Sequence, residues 1–237
     1  HALPAEHLPP VTPRPASANN ATPPLCHHLQ AIKKDGFQYH FFPWTLAENQ
    51  TMSREESTAF LALERGNGTL GGLHYEANQI AAEQMDSAYT TNAYGKINND
   101  TAYIHFNQPF GEGVTPVVFV NVLTSRDTYP LMWKVFDVTH DGFKIRLCRE
   151  YGRTEKTFIS ENVLYLAIEQ GQGQLMDGKL ITVGLAPESV GGITARSVEF
   201  GDSLVNPLLW GEPQTANESR AAITRYSSLS ETSIRIR

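Results

Sequence analysis

Two stretches of this chain repeat at a nearly fixed distance, and no other feature of the sequence constrains the fold as tightly. Phe60-Leu-Ala-Leu-Glu-Arg-Gly66-Asn-Gly-Thr-Leu70 recurs 105 residues later as Tyr165-Leu-Ala-Ile-Glu-Gln-Gly171-Gln-Gly-Gln-Leu175. Lys34-Asp-Gly-Phe37-Gln-Tyr-His-Phe41 recurs 106 residues later as His140-Asp-Gly-Phe143-Lys-Ile-Arg-Leu147. Two separate segments agree within one residue, which predicts a structural unit of roughly a hundred residues set in tandem.

A second comparison runs downstream at an offset of 91. Thr115-Pro-Val-Val-Phe-Val-Asn-Val-Leu-Thr124 resembles Asn206-Pro-Leu-Leu-Trp-Gly-Glu-Pro-Gln-Thr215, and Val138–Arg146 faces Leu229–Arg237. Just upstream, Tyr103-Ile-His-Phe106 resembles Ser197-Val-Glu-Phe200, the offset longer by three. Three units are expected: residues 1–66, lacking an opening; residues 67–175, complete; and residues 176–237, lacking a close. In the first, Pro9-Pro-Val-Thr-Pro-Arg-Pro15 stands where the second has an apolar strand. Proline cannot donate to a ladder, so this stretch reads as an irregular arm.

Within the second unit the pattern is that of short strands. Thr101–Phe106 puts Ala102, Ile104 and Phe106 on one face. Pro116–Leu123 is almost continuously apolar, like a strand buried on both sides. Leu131–Val138 alternates, and Asp141-Gly142 then supplies a hairpin bend. Phe143, Ile145 and Leu147 follow on one face, with Lys144, Arg146 and Cys148 on the other. Val163–Glu169 closes the unit. The expected class is all-β: tandem, antiparallel, six-stranded sandwiches with incomplete terminal modules. One segment competes. Ser53-Arg-Glu-Glu56 has the form of a helix capping box, but the repeat places a loop there and a strand from Phe60.

Composition narrows the function. Hydrophobic residues make up 41% of the 237 positions and charged ones 19%, so the chain is globular rather than disordered. A formal net charge of -6 argues against a nucleic-acid grip, which needs a basic excess. No apolar run approaches the ~20 residues of a membrane-crossing helix. The opening HALPAEHLPP lacks a leader's charged and apolar regions, as expected of a processed or internal start. Five sequons begin at Asn20, Asn49, Asn67, Asn99 and Asn217. Roughly two would arise by chance among the 13 asparagines, so the surplus predicts a secreted, glycosylated surface. The two cysteines, Cys26 and Cys148, sit in adjacent units; they could bridge them or remain as thiols.

The block Phe106…Pro116-Val-Val-Phe…Trp133-Lys-Val-Phe-Asp-Val-Thr-His-Asp-Gly-Phe-Lys144…Tyr165-Leu-Ala-Ile-Glu169 resembles the H-type lectin domain of snail agglutinins and of discoidin's C-terminal part. The resemblance covers most of the second unit and parts of the others. It implies an antiparallel six-stranded sandwich that often trimerises and binds galactose-type sugars, frequently N-acetylgalactosamine. The family's sugar contacts transfer poorly. Its arginine before the middle strand is Pro130 in the second unit, Pro24 in the first and Ala221 in the third, where Arg220 is adjacent. Its aromatic after the Gly-Phe-Lys strand is matched by Tyr151, flanked by Arg149 and Arg153, and by Trp44 in the first unit. Near Asn92–Asn99 amides replace the expected acid, except at Asp100. Trp44, Arg149, Tyr151 and Arg220 are therefore the candidate carbohydrate contacts. An aromatic ring serves the C–H face of a sugar, and a planar cation serves vicinal hydroxyls.

Other chemistries find less support. His27-His28 would point to opposite faces of a strand, a poor arrangement for a shared metal. His1 as a free terminus could open a copper brace, but a proline-rich arm follows it. No Gly-x-Ser-x-Gly elbow and no phosphate loop is present. The expectation is a secreted carbohydrate-binding protein without catalysis, cofactor or metal, acting through several weak sites on glycans or glycoproteins. The rival is a structural or adhesive array that has lost sugar binding. Incomplete terminal units would expose strand edges, so homo-oligomers or a longer array are also expected.

Overall fold

The computed structural model describes residues 25–33, 36–43, 61–81, 101–123, 131–149, 161–186, 196–205, 207, 209–215 and 226–236. Among them are fourteen strands and no helix. In chain order these are β1 (Leu25–Lys33), β2 (Gly36–Pro43), β3 (Gly66–Leu70), β4 (Leu73–Ile80), β5 (Ala102–His105), β6 (Val117–Val122), β7 (Leu131–Phe136), β8 (Gly142–Arg149), β9 (Val163–Ile168), β10 (Gly171–Gln174), β11 (Leu180–Val183), β12 (Arg196–Glu199), β13 (Tyr226–Leu229) and β14 (Ser233–Ile236).

Residues 66–168 build a sandwich of two antiparallel sheets. One has the order β3-β4-β9-β6, the other β5-β8-β7. That makes seven strands rather than six. Five of them lie between residues 102 and 168, and the other two form the β3–β4 hairpin, whose two-residue loop is Gly71-Gly72. Both glycines have positive φ, 63° and 90°, and paired positive φ values give the tight turn whose twist matches the flanking strands.

Alternation dictates what each strand buries. Ala102 and Ile104 of β5, with Phe106 beyond it, point inward, as do Phe143, Ile145 and Leu147 of β8. They meet Ile80, Val118, Val120, Val122, Val163, Tyr165 and Ala167 from the opposite sheet. Aromatic rings fill the middle. Phe143 and Tyr165 meet edge to face at 5.3 Å, and Phe106 lies 5.7 Å from Phe143. Burying an aromatic or a large aliphatic side chain contributes about 1.5–3 kcal/mol, so this cluster is the main stabilising feature of the sandwich.

β9 is buried along its whole length, because its sheet is covered on both faces. Val163, Tyr165 and Ala167 face the core. On the other side, Leu166 and Ala77 pack under Leu61, Leu63 and Trp210. Leu73, Val117 and Ile168 pack under Ile181 and Val183. β6 ends that sheet, and its edge is closed by side chains. The Val118 N–H donates to Gln214 Oε1 at 2.8 Å, and Gln214 Nε2 donates to the Pro116 carbonyl at 3.0 Å. The Val120 N–H and Trp133 Nε1 both donate to Glu212 Oε2, at 3.2 and 3.0 Å.

Three smaller sheets flank the sandwich: β1-β2, β10-β11 and β12-β14-β13. The last reproduces β5-β8-β7 in strand order. The strand expected from Phe60 differs: Leu61 and Glu64 form only isolated β-bridges, and the continuous strand begins at Gly66. The reason is packing. Leu61 and Leu63 lie across the outside of β4 and β9. The proline-rich arm and the Ser53–Glu56 segment lie outside the described residues.

Candidate functional site

The surface of β5 and the bend before β8 bring four polar side chains together. Strand alternation turns Tyr103 and His105 outward while Ala102 and Ile104 fill the core. The bend begins at Asp137, whose φ of 48° is left-handed, and it closes with the Thr139 N–H donating to the Gly142 carbonyl at 2.8 Å. β8 then pairs with β5, which carries Tyr103 over the bend. Its hydroxyl donates to Asp141 Oδ1 at 3.1 Å and lies 3.2 Å from Thr139 Oγ1. Thr139 Oγ1 donates to the same Asp141 oxygen. Gly142 is required here. A Cβ would fall 2.9 Å from the Tyr103 hydroxyl and 2.3 Å from the Ile104 carbonyl.

The electrostatics follow from these bonds. The Thr139 hydroxyl, and after it the Tyr103 hydroxyl, hold the Asp141 carboxyl below the ordinary carboxylate range. It is therefore ionised at neutral pH. A carboxylate has about four lone-pair positions, and these hydroxyls use two of them at one oxygen. His105 sets its ring edge to face with Tyr103 at 4.6 Å. Tyr103 keeps 37% of its surface exposed. At the rim, Lys144 Nζ lies 2.8 Å from Asp137 Oδ2. The arrangement is an accessible ring beside a fixed anion and an imidazole, mounted on a rigid sheet.

Of the four residues expected from the sequence, only the backbone of Arg149 is among the described residues. Arg149 ends β8, opposite Leu131 and seven residues from Gly142, so roughly 23 Å of extended strand separates it from the Asp141 bend. Its side chain, Trp44, Tyr151 and Arg220 lie outside the described residues, as do the side chains of Cys26 and Cys148. Of the sequons, Asn67 is exposed on β3 and its amide donates to Glu76 Oε2 at 3.1 Å. Asn20, Asn49, Asn99 and Asn217 lie outside the described residues. Part of the signal lies in the sequence: Tyr103 and His105 alternate with core residues, and Asp141-Gly142 marks a bend 36 residues beyond His105.

A second polar group is enclosed. Glu76 has no exposed surface. It accepts from the Tyr165 hydroxyl, from the Asn107 and Gln108 N–H groups at 3.0 and 3.1 Å, and from Asn67. A carboxylate satisfied by four donors inside the fold serves the fold. Among the described residues, no group of three His, Cys, Asp or Glu side chains could hold a metal ion, and no helix is long and apolar enough to cross a membrane. No family model matches the chain, and no curated protein or solved structure does either.

Proposed function

We propose that this is a secreted, lectin-like carbohydrate-binding protein without catalytic activity, and that Tyr103, His105 and Asp141 form a sugar subsite. The observation that carries the reading is the exposed Tyr103 ring hydrogen-bonded to an ionised Asp141. A ring offers a face for sugar C–H groups, while the carboxylate and imidazole accept and donate to hydroxyls. Galactose or N-acetylgalactosamine as the ligand class comes from the likeness of the 106–169 block to H-type lectins. Ser197 occupies the Tyr103 position in the C-terminal sheet, and Glu199 that of His105. This subsite therefore occurs once in that pair of sheets. Higher valency would need the Arg149, Tyr151, Trp44 and Arg220 group as further contacts.

A glycan array over galactose- and N-acetylgalactosamine-terminated structures tests the reading. Binding by the intact chain is expected, with Tyr103→Ala and Asp141→Asn each weakening it at least tenfold while the melting temperature holds. Binding that only Arg149→Ala weakens would move the site to the other end of β8. Absence of any bound glycan at high density would leave the structural reading. That reading has its own support in the apolar layer beneath Leu61, Leu63 and Trp210, which ties flanking segments to the sandwich.

A further inference from the structure

The strands outside the sandwich repeat its pairings residue for residue. Leu25↔Pro43 through Leu29↔Tyr39 in β1–β2 stand 106 residues before Leu131↔Arg149 through Val135↔Ile145 in β7–β8. Gly171↔Val183 through Gln174↔Leu180 in β10–β11 match Gly66↔Ala77 through Thr69↔His74 in β3–β4. Arg196↔Ile236 through Glu199↔Ser233 match Ala102↔Ile145 through His105↔Gly142. The connecting bonds follow suit. The Phe106 and Phe110 N–H groups donate to the Asp141 and His140 carbonyls, and the Phe200 and Leu204 N–H groups to those of Thr232 and Glu231.

This register identifies which positions are equivalent, and equivalent apolar positions gather on one face. The outer face of β3-β4-β9-β6 presents Tyr75, Ala77, Phe119, Leu166 and Ile168. The residues covering it are Ile181, Val183, Trp210, Leu61 and Leu63. At the offsets above, Ile181 stands for Tyr75, Val183 for Ala77, Trp210 for Phe119, Leu61 for Leu166 and Leu63 for Ile168. The aromatic pair stacks directly, with Phe119 and Trp210 centroids 4.2 Å apart and planes 28° from parallel. Half-buried Leu61 and Leu63 alternate with exposed Ala62 and Glu64, as in a segment that offers one side to the sheet.

We infer that the outer face of the four-stranded sheet is a self-matching docking face, and that its occupants are the corresponding faces of the flanking repeats of the same chain. Apolar surface that three units would each expose is removed from water by mutual contact. The recognition sets apolar residues of one unit against apolar residues of the next, with the equivalent aromatics Phe119 and Trp210 in direct contact. This does not depend on whether the chain binds sugar.

Hydrogen–deuterium exchange on the full chain tests it, with Trp210→Ala and the exchange pair Phe119→Trp/Trp210→Phe. Trp210→Ala is expected to speed exchange in Leu180–Val183 and in residues 209–215 by about a hundredfold, with β5 and β8 unchanged. The exchange pair is expected to keep protection near the wild-type level, because the two positions are equivalent. Unaltered exchange at Leu180–Val183 in Trp210→Ala would overturn the inference. So would an exchange pair as damaging as the alanine. If the alanine loosens the whole chain, the exchange pair decides: retained protection supports the docking face and lost protection refutes it.

Discussion

Tyr165 donates its phenolic hydrogen to Glu76, a carboxylate with no exposed surface, across two neighbouring strands of the sandwich. The bond joins the core to the turn after β5, because Glu76 also accepts from the Asn107 and Gln108 N–H groups. Removing the carboxylate strands several buried donors at once. Glu76→Ala is expected to cost about 3–5 kcal/mol, and Tyr165→Phe about 1–3 kcal/mol. Urea unfolding of both variants measures this, and equal small losses would contradict the assigned role.

The same contact sets a response to alkali. Burial, and then the Glu76 hydrogen bond, push the Tyr165 phenol far above its ordinary pKa of 10.0. The unfolded chain loses that proton from about pH 10, while the folded chain keeps it. Protons are then bound more by the native state, so stability is complete below about pH 10 and falls as pH rises. Tyr75 adds a contribution of the same sign, from burial and then from Glu64. Unfolding midpoints between pH 9 and 11 should fall less steeply in Tyr165→Phe than in the wild type.

Much of this fold was legible because its determinants are local. Phe143, Ile145 and Leu147 declare a core face by alternation alone, and Asp141-Gly142 declares the bend. The recurrence of Asp-Gly-Phe led to pairings that do repeat, such as His28↔His40 against Lys134↔Arg146. Leu61 and Leu63 alternate as a strand would, yet the stretch makes only isolated bridges, because apolar alternation reports a buried side and not a continuous ladder. The candidate site was less legible for a different reason. Tyr103 gains meaning only when β5 pairs with β8 and lays its hydroxyl on Asp141, a contact spanning 38 residues. The likeness to lectins points instead to Trp44, Arg149, Tyr151 and Arg220, of which Arg149 ends β8.

Asp141 should betray its surroundings in a titration. Its carboxyl sits below the ordinary range chiefly through the Thr139 hydroxyl. The stabilising effect of that bond is therefore complete above about pH 4 and is lost as pH falls through the lowered folded value. Carboxyl carbon shifts should show Asp141 titrating lower than a free aspartate, and Thr139→Val should move it back toward 3.8. A wild-type titration at the ordinary value would remove the ionised anchor from the proposed subsite.

The closed edge of β6 makes a prediction about association. Gln214 imitates a strand neighbour by accepting from Val118 and donating to Pro116, and Glu212 accepts from Val120. Without them a row of backbone groups is left open to another strand. Glu212→Ala/Gln214→Ala is expected to cost about 1–3 kcal/mol and to raise self-association. Light scattering across a concentration series reads the second effect. A variant as dispersed as the wild type would show that other elements protect this edge.

Two strands of the sandwich approach closely at Gly142. A methyl group there would come 2.3 Å from the Ile104 carbonyl, in a strand pair that already uses every register position from Ala102 to His105. Backbone cannot rotate aside as a side chain can, so β5 must separate from β8. That separation uncovers Ile104 and Phe106, which complete the core, and carries Tyr103 away from Asp141. Gly142→Ala is expected to cost about 2–4 kcal/mol. It should also abolish any sugar binding that depends on Tyr103. Thermal unfolding together with exchange at Ala102–His105 reads both consequences, and an alanine variant with wild-type protection in β5 would contradict the packing described for this bend.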